Sequence, residues 1–505
     1  MRIFGWVFLL FLSVSCLPAQ VTFTEHIAPI IYNKCSSCHH AGGIGPISLS
    51  NYTEVVHNSG IVAYLTALKA MPPWMPDTSF SHFLDERVLT EKEIKLIQDW
   101  VATGMQLGNK AAEPELPLFS KESQLGKPDL TVSMSQSYIH MGDNKDEYRV
   151  FPLPTHLAEG HDLAAIEIVP GNPAIAHHII LGLDTTNFAD KLDAKCEGYG
   201  YEQYSGFGFY PTYYNWSGWV PGNKTRFFPA GIGSYILPKS QILLQMHYGP
   251  SPIPAKDSTV INIYYSKQPV KRYLRSQLVS PIDIQDGPFF IPANTVKTFH
   301  AKYKIVDDFS IVSITPHAHW LGKKWEVFAI NAHGDTTKLI KIDDWDFNWQ
   351  NFFTFTKLIK LEKGSYLYSS GTFDNTSSNS ANPNFPPKNV TWGESAKDEM
   401  FLLYFATVPY VKDDENIETG NGINYLKLND TVGKTTIEFN LAENSVVNLT
   451  ITDALGKKAK ELVKKEARAA GKYETEFDAK GLKPGNYYCK LATTYFTASK
   501  KLQVK

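Results

Sequence analysis

Apolar positions in the first hundred residues recur at helical spacing. The run from Thr90 to Gly104 (TEKEIKLIQDWVATG) places Ile94, Ile97, Trp100 and Val101 on one face. Thr90 is the expected N-cap, Glu93 completes a capping box, and Gly104 supplies the stop. A small, mostly helical domain is therefore expected over 21–110, followed by a Pro-containing, acidic linker over 111–127. From 128 onward the texture changes to short β-branched and aromatic runs broken by Gly, Pro and Asn, such as AAIEIVP, AHHIILGL, STVINIYYS and MFLLYFATV. That spacing predicts antiparallel sandwiches rather than alternating strand and helix, with one over 128–275 and a second over 276–415. Beyond the acidic loop KDDENIETGNG, the stretch 425–505 alternates in the same way (TTIEFNL, SVVNLTITDA, KKLQV) and turns basic. The predicted architecture is multidomain: a small all-α domain, two antiparallel, jelly-roll-like β-sandwich domains and a small C-terminal β-sandwich.

Composition narrows the class. At 43% hydrophobic and a net charge of −2, the 505-residue chain reads as soluble and globular. No basic domain accompanies a nucleic-acid reading module, which excludes that function. The N-terminus, MRIFGWVFLLFLSVSCLPAQ, has one Arg, an apolar run from Ile3 to Leu12 and small residues ending in Pro18-Ala19-Gln20. This is a signal-peptide pattern over 1–19, too short for a permanent span, with cleavage expected after Ala19. Lipidation at Cys16 is the alternative, with Ser13 standing where an aliphatic residue is usual. The mature chain is expected to be exported and to lack a transmembrane segment.

Of the five cysteines, Cys35 and Cys38 are spaced for chemistry. Cys35-Ser36-Ser37-Cys38-His39 is a CxxCH motif, read as covalent attachment of one c-type haem with His39 as iron ligand. A zinc site would need a second ligand pair, and no second CxxC exists in the sequence. Two methionines in Ala70-Met71-Pro72-Pro73-Trp74-Met75 could supply the sixth ligand. The segment resembles small cytochrome c domains carrying MPPW, and that resemblance implies Met71.

Histidines gather in three motifs of the strand-rich region: His177-His178 in AIAHHIIL, His247 in ILLQMHYG, and His317-Ala318-His319 in ITPHAHWLG. Residues two apart on a strand share a face, so His317 and His319 can meet one ion. Adjacent His177 and His178 can do so only at a bulge or strand end, or through different ring nitrogens. Met400, in DEMFLLYF, offers a thioether, a soft ligand that favours Cu(I) over zinc or calcium.

These motifs, in the order HH, QxHYG, HxHxLG and late Met, resemble the copper type II, ascorbate-dependent monooxygenase family from about Asp129 to Pro409. The segment DDWDFNWQ is similar to that family as well. The resemblance implies two copper ions, one in each sandwich across a solvent cleft. It implies that His177, His178 and His247 bind the electron-relay copper. It implies that His317, His319 and Met400 bind the copper where dioxygen reacts, with Tyr404 matching the family's Tyr. Two positions depart: Thr315 stands where peptide-amidating members carry an Arg that holds the substrate carboxylate, and Leu402 stands in place of an Asn. The reading is a monooxygenase that uses dioxygen to hydroxylate an activated C–H of a small substrate, with the haem as electron donor, wholly or partly replacing a diffusible reductant (ascorbate or another electron donor). Two other classes stay open: an electron-transfer or copper-storing protein, and a surface binding protein with structural metals.

The tail at 425–505 resembles the sorting domain of the type IX secretion system through TTIEFNL, VVNLTITDALGKK, Gly471–Tyr473 and Gly481-Leu-Lys-Pro-Gly-Asn-Tyr. This implies export through the type IX machinery to the medium or the outer-membrane surface of a Gram-negative bacterium. A carbohydrate-binding or spacer module is the alternative for this β-sandwich.

Overall fold

A computed structural model describes residues 20–505 apart from 115, 117–122, 205, 423, 432–433, 443–444, 454–455, 470, 494–496 and 505. The expected signal segment, including Cys16 and the cleavage site, lies outside the described residues, as does part of the expected linker. The chain divides into two compact units: 1–73 with 87–118, and 74–86 with 119–505.

The first unit is helical. Helices at Ala28–Lys34, Tyr52–His57, Ser59–Ala67 and Glu91–Ala102 enclose a core of Phe23, Ile27, Ile31, Val55, Ile94, Ile97 and Trp100. The capping box at Thr90 and Glu93 is present, and Ile94, Ile97 and Trp100 are buried as the periodicity requires. Phe23 closes the fold: its ring lies 5.9 Å from Trp100, and its N–H donates to the Gln106 carbonyl.

The second unit is built from sheets. One five-stranded sheet contains Leu130–Ser133, Val260–Tyr265, His161–Val169, Ile232–Ile236 and Arg272–Tyr273. Another orders Tyr201–Glu202, Glu147–Pro154, Gln241–Tyr248, Ala176–Asp184 and Tyr213–Trp219. Their inward residues, among them Phe151, Leu163, Ile179, Leu244, Met246 and Ile261, form one core, so the pair is a sandwich. A second sandwich packs Arg275–Val279, Leu402–Pro409, Phe309–His317 and Phe353–Leu361 onto Val296–Lys304, Tyr366–Asp374, Gly322–Ile330 and Thr336–Ile342. Its core is aromatic, centred on Trp325, Phe373, Phe401 and Phe405. The C-terminal strands, from Tyr425–Thr431 to Thr497–Val504, enclose a core of their own. Among the described strands pairing is antiparallel as expected, except that Arg272–Tyr273 runs parallel to Ile232–Ile236.

The expected continuous domain over 21–110 differs from the structure at Trp74–Glu86, which is built into the second unit. The reason lies in its side chains and backbone. Phe83 is buried against Phe353 and Phe355, and Leu84 N–H donates to the Thr354 carbonyl. Asp77 N–H donates to the Lys341 carbonyl, so the strap is tied at both ends.

Candidate metal centre

The strand pairing makes the first cluster possible. Ala176 faces Tyr248 and His178 faces His247, which leaves His177 as an extra residue: a β-bulge. A bulge turns two successive side chains toward one side, which resolves the geometric problem posed by adjacent histidines. The imidazoles of His177, His178 and His247 bring ring nitrogens within 4.8 Å of one another. The nitrogens that approach are alike: His178 Nδ1 lies 3.2 Å from His177 Nδ1 and 3.3 Å from His247 Nδ1. Nitrogens converging so closely need a shared proton or a shared cation between them. Burial lowers the pKa of all three rings, and neighbouring histidines lower those of His178 and His247 further. Neutral rings with free lone pairs are the form that metals bind.

Residues around the cluster fix its orientation. His247 Nε2–H donates to Asp146 Oδ1 at 2.8 Å, which commits Nδ1 to the cluster. A carboxylate behind a histidine sets its tautomer and raises its basicity. Tyr148 stacks on His247 at 3.9 Å between ring centroids. Gln245 donates to the Gly206 carbonyl at 2.6 Å and so anchors the neighbouring loop.

The second cluster forms at a strand end. His317 ends its strand, whereas His319 lies beyond it. The expectation that both histidines meet an ion as strand neighbours therefore needs correction. The chain leaves the ladder because Glu399, fully buried, accepts the N–H groups of His319, Leu321 at 2.9 Å and Met400 at 2.8 Å. This one carboxylate clips the HAHW turn to the segment carrying Met400. Burial pushes Glu399 up to about 8 despite those donors. The two rings stand 5.3 Å apart and nearly perpendicular. His317 Nδ1–H donates to Gln350 Oε1 and His319 Nδ1–H to the Asp398 carbonyl at 3.2 Å. Both rings therefore keep Nε2 for a ligand, the opposite nitrogen from the first cluster. Burial depresses His317 to about 3 and His319 to about 4. In register, His317 faces Leu402 and Thr315 faces Tyr404, and the ladder ends there, short of both His319 and Met400. Met400 is buried. Burial raises Tyr404 to about 12, and its hydroxyl pairs with Asn215 of the first sandwich.

Neutral imidazoles are donors that suit copper, and a thioether, such as the one Met400 carries, favours Cu(I). In the helical unit, His39 Nδ1–H donates to the Ile47 carbonyl at 3.0 Å, so Nε2 is the nitrogen that could take a ligand. Gly45 is packed against that ring, where a Cβ would come within 2.5 Å of Nδ1. Cys35 and Cys38 are unpaired and half-buried, and burial raises Cys35 to about 12. Met71 is half-buried in this unit, whereas Met75 Sδ accepts the Asp346 N–H at 3.1 Å in the other.

Sequence reasoning missed Asp146, Tyr148 and Glu399. Glu399 adjoins Met400 and Tyr148 pairs with His247 across two strands, so only register, not spacing, could have revealed them.

Residues 293–420 match the model of the copper type II ascorbate-dependent monooxygenase, C-terminal domain, and 429–505 match the secretion system C-terminal sorting domain. No curated protein matches the chain. Among solved structures, the β-D-glucuronidase of Dictyoglomus thermophilum is 12% identical, covering 48% of this chain and 45% of that one, with a TM-score of 0.13. Faecalibacterium prausnitzii β-glucuronidase is 11% identical, covering 42% and 37%, with a TM-score of 0.12. The VP2 subviral particle of infectious bursal disease virus is 11% identical, covering 59% and 76%, with a TM-score of 0.16. The chain spans less than half the length of either glucuronidase, and likeness this slight carries no argument. No helix among the described residues is long and apolar enough to cross a membrane. The stretch that holds His317, His319 and Met400 thus carries the C-terminal domain of the copper monooxygenase family, and the sorting tail makes this an exported protein.

Proposed function

We propose that the chain is an exported copper monooxygenase that hydroxylates an activated C–H of a small substrate, with a c-type haem as its electron donor. The observation that carries this reading is the pair of unlike clusters: three histidines offering Nδ1, and two histidines offering Nε2 on a turn that Glu399 ties to the backbone of Met400. A structural metal site is closed and rarely uses Met, whereas unlike sites suit unlike tasks. When bound, copper supplies one-electron storage at the first cluster and dioxygen reduction at the second.

The chain's own residues do the rest. His177, His178 and His247 hold one ion, and Asp146 keeps the His247 proton on Nε2. His317, His319 and Met400 hold the other, with Gln350 and Glu399 fixing their approach. Tyr404, kept protonated by burial, presents a hydrogen-bonding hydroxyl beside Thr315. Because Thr315 offers a hydroxyl rather than a guanidinium, a peptide carboxylate lacks a bidentate partner there. The substrate class proposed is therefore small and not carboxylate-anchored at this position. Cys35, Cys38 and His39, with Met71, are the residues proposed to hold the haem.

The decisive experiment supplies the reduced, copper-loaded protein with oxygen-18 gas and candidate substrates, then reads products by mass spectrometry. One labelled oxygen atom per product is expected. Oxygen consumption without a labelled organic product would leave the chain a copper electron-transfer protein.

A further inference from the structure

The strand that carries His317 continues away from the cluster as a row of uncharged side chains. Phe309–His317 pairs with Leu402–Pro409 so that Ser313 faces Ala406, Thr315 faces Tyr404 and His317 faces Leu402. Alternation puts these six on one face of the sheet. Their neighbours Ile314, Leu403 and Phe405 lie in the core of the second sandwich, so the row is the sheet's outer face. Two residues along a strand span about 7 Å, which sets the Thr315–Tyr404 pair within a small molecule's length of His317. Burial keeps His317 neutral, and the rest of the row is hydroxyls, a phenol, an alanine and a leucine.

The first sandwich, in the same compact unit, supplies a partner. In its strand Tyr213–Trp219, Ser217 faces Leu181 and Tyr213 faces Leu183, so Tyr214, Asn215 and Trp216 bulge opposite the single Gly182. At the centre of the bulge Asn215 has a φ of 52°, in the left-handed region that Asn adopts more readily than most residues. Trp216 is anchored by its indole N–H, which donates to Ser234 Oγ at 3.0 Å. The Asn215 amide reaches the second sandwich and donates to the Tyr404 hydroxyl. Further along the same strand Gly218 lies against Phe352, where a Cβ would come within 2.8 Å of the ring. Burial raises Tyr214 and Tyr404 to about 12, and the nearby carboxylate of the exposed Glu394 adds to both.

We propose that Asn215 and Tyr404 together bind a neutral carboxamide group of the substrate, with Asn215 as the specificity-determining residue. Because Asn215 donates to the Tyr404 oxygen, the Tyr404 O–H is left to donate and the Asn215 carbonyl to accept. A donor and an acceptor side by side match the C=O and N–H of a carboxamide. A carboxylate has no N–H for the Asn215 carbonyl, and it meets the Glu394 charge with no cation on the row to hold it. An ammonium would meet only Glu394, which is exposed and screened by solvent. Leu402, buried opposite His317, gives the substrate's carbon body an apolar floor. The pair rests on the functional reading above for the reaction it serves, whereas its binding is independent of turnover.

The test uses the full, copper-loaded protein reduced to Cu(I) under nitrogen, so that nothing turns over. Binding of phenylacetamide, phenylacetate and phenethylamine, which share one apolar body, is measured by isothermal titration calorimetry. Phenylacetamide should bind at least about tenfold more tightly than either charged probe. Asn215→Gly, which accepts the left-handed backbone, and Tyr404→Phe should each remove that preference with copper content unchanged. Equal or undetectable binding of the three probes, tighter binding of a charged one, or an unchanged preference in either variant overturns the pair. Amide-selective binding without any oxygen-18 product overturns the monooxygenase reading and leaves the pair standing.

Discussion

Asp146 illustrates how a single carboxylate can govern a candidate metal site from behind one of its histidines. It receives the Nε2 proton of His247, and burial pushes its own carboxyl up from the ordinary value while His177 draws it back. Asp146→Asn keeps the shape but removes the charge that makes His247 a stronger donor. Affinity for Cu(I) at the three-histidine cluster should fall about 10- to 100-fold, measured by titration against a chromogenic chelator. The Met400 cluster should retain its affinity. A second carboxylate answers to pH. Asp414 is buried and pairs with Arg272 at 2.6 Å and Ser310 at 2.6 Å. Burial alone would raise its pKa, but these partners win and hold it below the ordinary value. A depressed folded pKa gives stability that is complete above the unfolded value of about 3.9 and is lost as pH falls through the folded one. The Tm of the wild-type protein should therefore decline below about pH 4 more steeply than that of Asp414→Asn. At neutral pH the variant should be less stable by roughly 3 kcal/mol, since it leaves Arg272 buried without its charge partner. Parallel thermal melts across pH check both statements.

At the scale of elements, what was legible followed period and capping. The Thr90 helix reads from the sequence because cap, face and stop all agree over a dozen residues. The His177 bulge reads only in outline: two adjacent histidines demand an irregularity, but which strand supplies the missing partner depends on register. The His317–His319 pair was misread in detail because alternation assumes that the strand continues. Glu399, eighty residues away, ends it by taking three backbone N–H groups. The strap at Trp74–Glu86 was illegible, since its short apolar residues carry no period and its partners are remote in sequence. The strap bears on the choice between two methionines: Met75 Sδ accepts the Asp346 N–H, and Met71 is the one proposed as haem ligand. Met71→Ala should abolish the low-spin, six-coordinate haem spectrum, and Met75→Ala should leave it unchanged. Visible absorbance and magnetic circular dichroism of the purified ferric and ferrous forms distinguish the two outcomes.

For the whole molecule, separate cores imply that address and chemistry can be parted. The tail from Tyr425 onward buries Ile437, Phe439, Leu449, Ile451 and Leu491 against one another rather than against either sandwich. Among the described residues, Ala442 is the tail's member of a core cluster outside its own, beside Leu125, Ala164 and Tyr264. Burial of one alanine methyl is worth only about 0.8 kcal/mol. The donor sets at His177, His178 and His247 and at His317, His319 and Met400 draw no side chain from the tail. A chain ending after Asn424 should therefore fold, bind copper in the same amount and melt at nearly the same temperature. It should nevertheless fail to leave the cell envelope, because residues 429–505 carry the sorting domain. Fractionation of cells expressing the full and shortened chains, with copper assayed in each purified form, tests both halves together. The shortened protein is expected in the periplasmic fraction with its metal retained. Its appearance outside the cell would remove the sorting role from the tail, and loss of copper would show that the small sandwich supports the site it is predicted only to transport.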